Sequence, residues 1–217
     1  ALYMLPVGIS DIEPSATLPE ANILIMGRLR HFIVENARTA RRYLKRCCPE
    51  MPVSECVFYE LNGHTDLQQA STFLQPLREG HPMGMMSEAG CPGVADPGAL
   101  MAMIAQREGL RVIPLAGPSS IIMSLMASGF NGQGFSFHGY LPIEKGARIA
   151  KIKALESRSA HDDMTQIFIE TPYRNNKLIQ WLCSHLPDDM LLCVASDITC
   201  SRQSIITKSI GRWRDSK

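Results

Sequence analysis

The chain has 217 residues, 45% hydrophobic and 20% charged, which is enough for one large core or two small ones and excludes the disordered and fibrous classes. A net charge of +1 gives no overall field toward nucleic acid or a membrane, so any polyanion contact must come from a local patch. Seven cysteines, with no CxxC pair and no His/Cys ligand spacing, argue against structural zinc and a secreted disulfide framework. No apolar run approaches the roughly 18 residues of a membrane span, and the start lacks a basic signal region, so the expectation is a cytoplasmic protein with reduced thiols.

Taken in chain order, short apolar runs recur, and helix-like stretches lie between them. The first is Leu2 to Val7, followed by His31 to Val34 and a helix near 37–47, then Val57 to Tyr59 and a helix near 65–79. Met83 to Ser87 precedes a helix near 98–109, and Val112 to Leu115 precedes one near 119–129. Phe135 to His138, Thr165 to Ile169 and Leu191 to Ala195 follow, with helices near 143–158 and 174–186 between them. This alternation predicts an α/β protein with mainly parallel sheets. Ala116-Gly117-Pro118 interrupts it, because a Gly-Pro step continues neither regular element, and divides the chain into an N-terminal lobe of residues 1–116 and a C-terminal lobe of 117–217.

Five runs end in an acidic residue: Glu35, Glu60, Glu88, Glu170 and Asp197. In open parallel sheets the carboxyl ends of the strands line the ligand crevice, so these side chains are placed to converge on one site. The alternative is that each starts a turn or caps the next helix.

The most informative stretch is Ser87-Glu88-Ala89-Gly90-Cys91-Pro92-Gly93-Val94-Ala95-Asp96-Pro97-Gly98, between a strand and a helix. Glycines let backbone approach a ligand and prolines stiffen the same loop, which suits a preshaped wall. Asp96-Pro97 also reads as a helix cap, and that role alone would account for both. The loop is neither a P-loop nor a GxGxxG fingerprint, so phosphate is not the expected ligand. Gly117-Pro118-Ser119-Ser120 again leads into a helix, whose start offers hydroxyls and free N–H groups to a ligand, or an ordinary cap at Ser119.

In order and spacing these segments resemble the tetrapyrrole methylase superfamily, in particular its branch of bacterial 2′-O-ribose (cytidine) methyltransferases acting on 16S ribosomal RNA. Leu2 to Gly8 is similar to that branch's opening strand and Pro-Ile-Gly-Asn turn. Val34-Glu35-Asn36-Ala37-Arg38 is similar to its Glu-Asp-Thr-Arg segment, and Ser87 to Gly98 to its long Gly/Pro loop. Gly117-Pro118-Ser119 and Glu170-Thr171-Pro172-Tyr173-Arg174 are similar to its Gly-Pro-Ser and Glu-Ser-Pro-His-Arg segments. The resemblance implies two α/β lobes with a ligand cleft between them, a homodimer, and S-adenosylmethionine as methyl donor with no metal. Carried over by position, it implies a donor pocket of Ile9, Pro92, Gly93, Asp96, Ala99, Ser119 and Ser120. A donor that carries its own leaving group asks the protein only for alignment and exclusion of water.

The sequence departs from the branch's pattern on the acceptor side. Asn36, Ala37, Glu88 and Cys91 replace its Asp, Thr, Asp and Thr; Ser196, Asp197, Cys200 and Gln203 stand where it carries Arg, Glu, Lys and Glu. The chain also stops soon after Trp213 without the family's closing strand, an expectation that the true C-terminus lies further on. Glu35, Glu88 and Glu170 are candidates for a base, and Arg38 for holding a substrate phosphate or carboxylate. Arg38, Arg41, Arg42, Lys45 and Arg46 share one helix face, a stripe suited to RNA or simply to solvent, with Tyr43 the single aromatic among them. Cys91 lacks a His/Asp partner signature and reads as a small semi-buried residue; His64, His81 and His138 form no metal spacing. The implied function is methyl transfer. The alternatives are a non-catalytic S-adenosylmethionine-binding module and a dinucleotide-dependent oxidoreductase, which the missing glycine fingerprint disfavours.

Overall fold

A computed structural model describes residues 1–63 and 65–216, so His64 lies outside the described residues. Internal contacts divide the chain into two compact units, Ala1–Ser120 and Ile121–Lys217. That division falls a few residues beyond the Gly117-Pro118 step.

The first unit is built on a five-stranded sheet in the order β3-β2-β4-β1-β5, with every pairing parallel. Its strands are β1 (Leu2–Leu5), β2 (His31–Val34), β3 (Val57–Glu60), β4 (Met83–Met86) and β5 (Val112–Pro114). Crossovers carry α1 (Glu20–Arg28), α2 (Ala37–Cys47), α3 (Leu67–Thr72), α4 (Gln75–Arg78) and α5 (Gly98–Arg107). The inner strands read as unbroken apolar runs because helices cover both faces. Successive side chains serve opposite cores: Leu5, Phe32 and Val34 pack with Met26 and Leu44 from α1 and α2, whereas Met4, Ile33 and Met85 pack with Met101 and Ile104 of α5. Gly84 sits in the central strand where a Cβ would come within 2.5 Å of Leu5 and 3.1 Å of Phe32, so these neighbours already fill its side-chain space.

Three features differ from the expected elements. Helix α1 was invisible as a pattern, since it is short and begins after Pro19 without a side-chain cap. The expected helix near 65–79 is two pieces, with Pro76 in the first turn of α4. The first strand stops at Leu5, and Val7 instead makes an isolated antiparallel bridge to Gly90.

Helix α6 (Ser120–Ser128) starts at the last residue of the first unit, and the rest of it belongs to the second. Strands β6 (Phe135–Tyr140) and β7 (Thr165–Ile169) pair in parallel across helix α7 (Lys145–Asp162), and α8 (Asn175–His185) follows. Leu141, Ile152, Leu155, Leu178 and Leu182 form its core. Alternation then ends: β8 (Leu191–Ser196) turns back into an antiparallel partner, β9 (Ser204–Ser209), before the short α9 (Ile210–Arg214). The turn uses Asp197 and Thr199 at positive φ (50° and 77°), and the Gln203 side chain accepts the Thr199 N–H at 2.9 Å. β9 mixes polar and apolar residues, which left no apolar run to announce it. Among the described residues no helix is long and apolar enough to cross a membrane.

Candidate functional site

The carboxyl ends of β4, β1 and β5, neighbours in the sheet, release three loops that bond to one another. The loop after β4 is stitched to the segment after β1 by Val7 N–H to Gly90 C=O at 2.9 Å and Gly90 N–H to Val7 C=O at 3.0 Å. The Cys91 thiol donates to the Pro118 carbonyl at 3.4 Å, joining it to the loop after β5. Asn22 of α1, buried, donates to the Ala116 carbonyl at 2.7 Å. Gly117 lies so close to Pro6 that a Cβ would approach it to 2.1 Å, which ties the loops after β1 and β5 by direct packing.

The long loop is closed on itself by Asp96. Its Oδ1 accepts the Gly93 N–H at 2.8 Å and the Gly98 N–H at 2.7 Å. The cap reading of Asp96 therefore holds in a wider form: it ties down the first N–H of α5 and a second N–H from across the loop, while Pro97 occupies the capping position. Gly93 takes φ +86°, a conformation costly for a residue with a side chain, and Ala95 is held at φ +62°. The second oxygen, Oδ2, is buried and has no hydrogen-bond partner among the described residues. An orphaned carboxylate oxygen is unstable by itself and calls for a donor or a positive charge.

Of the implied donor-pocket residues, Pro92 is buried, Ile9, Gly93, Asp96 and Ser119 are half-buried, and Ala99 and Ser120 are exposed. All belong to the first unit. Ile9 packs against Gly90, 3.6 Å from where a Cβ would sit, and Gly93 abuts Ala99.

The acidic strand ends part company. Glu35 Oε1 accepts the Glu88 N–H at 2.9 Å. Burial pushes the Glu35 carboxyl above its usual range; the Glu88 N–H opposes this and the nearby Asp96 and Glu88 carboxylates add to it. Glu88 accepts the Thr39 hydroxyl at 2.6 Å, and Glu60 accepts the Ala37 N–H at 2.7 Å, at the start of α2. Asn36 caps the same helix, accepting from the Arg38 and Thr39 N–H groups. In the second unit, Glu170 is held by Arg174 at 2.6 Å and by the Thr171 N–H at 2.7 Å. Cys91 is pushed up by burial and by Asp96, so its thiol stays protonated and a poor nucleophile.

The basic stripe on α2 is exposed throughout but unevenly engaged. Arg46 pairs with Asp11 at 2.6 Å and Glu13 at 3.5 Å, Arg41 lies 4.6 Å over the Phe58 ring, and the Lys45 ammonium donates to the Pro49 carbonyl. The Arg38 and Arg42 guanidiniums have no partner among the described residues. Asn22, Thr39, Tyr43 and Glu60 organise the site through long-range bonds that the sequence does not announce. The acid after β3 was visible for Glu60; for the other three nothing in the sequence marks a distant partner.

No protein-family profile matches the chain. It is 28% identical over 158 residues to the ribosomal RNA small subunit methyltransferase I of Haemophilus influenzae, covering 73% of this chain and 54% of that one. It is 28% identical over 204 residues to the protein of the same name from Vibrio cholerae, covering 94% and 67%. The chain thus spans about half the length of several curated relatives it matches. Among solved structures it resembles diphthine synthase (TM-score 0.65, 14% identity, 100% of this chain and 84% of the other). It also resembles the methyltransferase CobJ (TM-score 0.63, 15% identity, 100% and 87%). At these identities the likeness is one of fold.

Proposed function

We propose, from the premise that the chain is a divergent member of the tetrapyrrole methylase superfamily, that it is an S-adenosylmethionine-dependent methyltransferase. The observation that carries this reading is the loop after β4, fixed from within by Asp96 and sewn to the loops after β1 and β5. The donor's cationic sulfonium and ammonium groups suit the buried, unpartnered Asp96 Oδ2, so the residues fit the donor. Ile9, Pro92, Gly93, Asp96, Ala99, Ser119 and Ser120 would hold it. When bound it supplies an activated methyl group.

The acceptor is proposed to be ribosomal RNA, by analogy with the named relatives, and within it a ribose 2′-hydroxyl, which the resemblance of the sequence segments implies. The exposed, unpaired Arg38 and Arg42 supply two phosphate contacts, and Glu35 a base. A carboxylate whose protonated form is favoured takes a hydroxyl proton more readily than an ordinary one. A homodimer in the cytoplasm belongs to the same reading.

A second reading, a donor-binding module without turnover, is favoured by one observation. Asn36 and Glu88, which depart from the family pattern, are already engaged by the start of α2. Calorimetric titration with S-adenosylmethionine and S-adenosylhomocysteine, followed by labelled methyl transfer to 16S ribosomal RNA, separates the two. Saturable binding that Gly93→Trp abolishes, with transfer, supports the enzyme; binding without transfer to any RNA supports the module; no binding in the folded protein overturns both.

A further inference from the structure

Helix α2 does more than cover the sheet, because its residues bond in turn to the loops that leave β1 and β4. Thr39 donates to Glu88, whose N–H is held by Glu35. One turn further on, the Tyr43 hydroxyl accepts the Gly8 N–H at 2.9 Å. Gly8 lies in the short link between Val7, which bridges Gly90, and Ile9, which packs on Gly90. A half-buried N–H in such a link needs an acceptor, and among the described residues no backbone carbonyl supplies one. Tyr43 is itself half-buried, beside the Cys47 thiol, and burial pushes its phenol upward, so the hydroxyl stays neutral across the working pH range.

We propose that Tyr43 is a positioning residue for the methyl donor: its hydroxyl fixes the Gly8–Ile9 link against the loop after β4 and so sets the wall on which the donor rests. This rests on the donor-binding reading above and deepens it. The ring fills the space between α2 and the link, whereas the hydroxyl alone supplies the acceptor, so the two roles are separable. Tyr43→Phe keeps the packing, frees the Gly8 N–H and removes the hydroxyl's bond with the Cys47 thiol, which lies on α2 itself and not on the link.

The experiment is titration of S-adenosylhomocysteine into wild type, Tyr43→Phe and Glu13→Gln, with thermal melts of all three. Glu13→Gln is the control beside the same helix, since it weakens only the exposed pair with Arg46. The expected result is that Tyr43→Phe stays folded and binds about tenfold more weakly, the loss of one hydrogen bond. Glu13→Gln should stay within about twofold of wild type. Amide exchange in Tyr43→Phe should quicken at Gly8 and not across the strands of the sheet, whereas a general loosening of the unit would quicken both. Unchanged affinity in Tyr43→Phe, with wild type binding, overturns this inference alone; no binding by wild type overturns the donor reading and this inference with it. Should Tyr43→Phe fail to fold, Gly8→Pro removes the same N–H from the other side and is expected to weaken binding in the same way; unchanged affinity there again overturns it.

Discussion

The same signal, an apolar strand ending in a carboxylate, has different outcomes in the two units. In the first unit Glu35, Glu60 and Glu88 reach across the chain, to residues 53, 23 and 49 positions away. In the second, Glu170 closes on Thr171 and on Arg174, four residues on. Long-range bonds tie separate loops into one surface, whereas local ones stiffen a single turn. A carboxylate after a strand is therefore a candidate for chemistry only once its partners are known.

The contrast breaks most visibly at Asp96. Asp96→Ala leaves the Gly93 and Gly98 N–H groups without an acceptor, for an expected loss of about 2–4 kcal/mol in stability and of all measurable donor affinity. Asp96→Asn sharpens the test, because it keeps one oxygen for both N–H groups but turns the orphaned Oδ2 into an amide. Denaturant melts should then stay within about 1 kcal/mol of wild type while affinity falls at least about tenfold. Wild-type affinity in Asp96→Asn would show that Oδ2 does not meet the donor.

A smaller effect is expected from Glu170→Ala. It strands the half-buried Arg174 guanidinium and should destabilise by about 1–3 kcal/mol while leaving donor affinity unchanged, read by thermal melt and titration. Loss of methyl transfer at unchanged melting temperature would place Glu170 in the chemistry and erase the contrast.

The smallest effect concerns pH. Because the folded protein holds the Glu35 proton more tightly than the unfolded chain, this residue's contribution to stability is full below the ordinary glutamate range. It then declines as pH rises through the raised value. Glu35→Gln keeps an oxygen for the Glu88 N–H and removes this titration, so its urea midpoint should fall less than that of wild type between about pH 4 and pH 7. Parallel profiles would mean that burial does not act on Glu35 as described.

Much of the fold was legible in the residues. The apolar runs at 31–34 and 83–87 mark β2 and β4, since strands covered on both faces must be apolar along their length, and the run at 165–169 marks β7. Helix α1 and strand β9 were not, because a short uncapped helix and a half-polar hairpin strand carry no periodic signal strong enough to read. The Gly/Pro loop stood out by its composition, which only a constrained backbone explains.

The sequence by itself determined the α/β character, the positions of the apolar strands and the stiff loop after β4, because covalent preference and apolar burial act over a few residues. Only the tertiary structure decided which polar groups meet. Tyr43 is 35 residues from Gly8, Thr39 49 from Glu88, and Asn22 94 from Ala116. A hydrogen bond over such separations depends on the order of strands in the sheet, β3-β2-β4-β1-β5, which sets distant loops side by side and leaves no local trace in either partner.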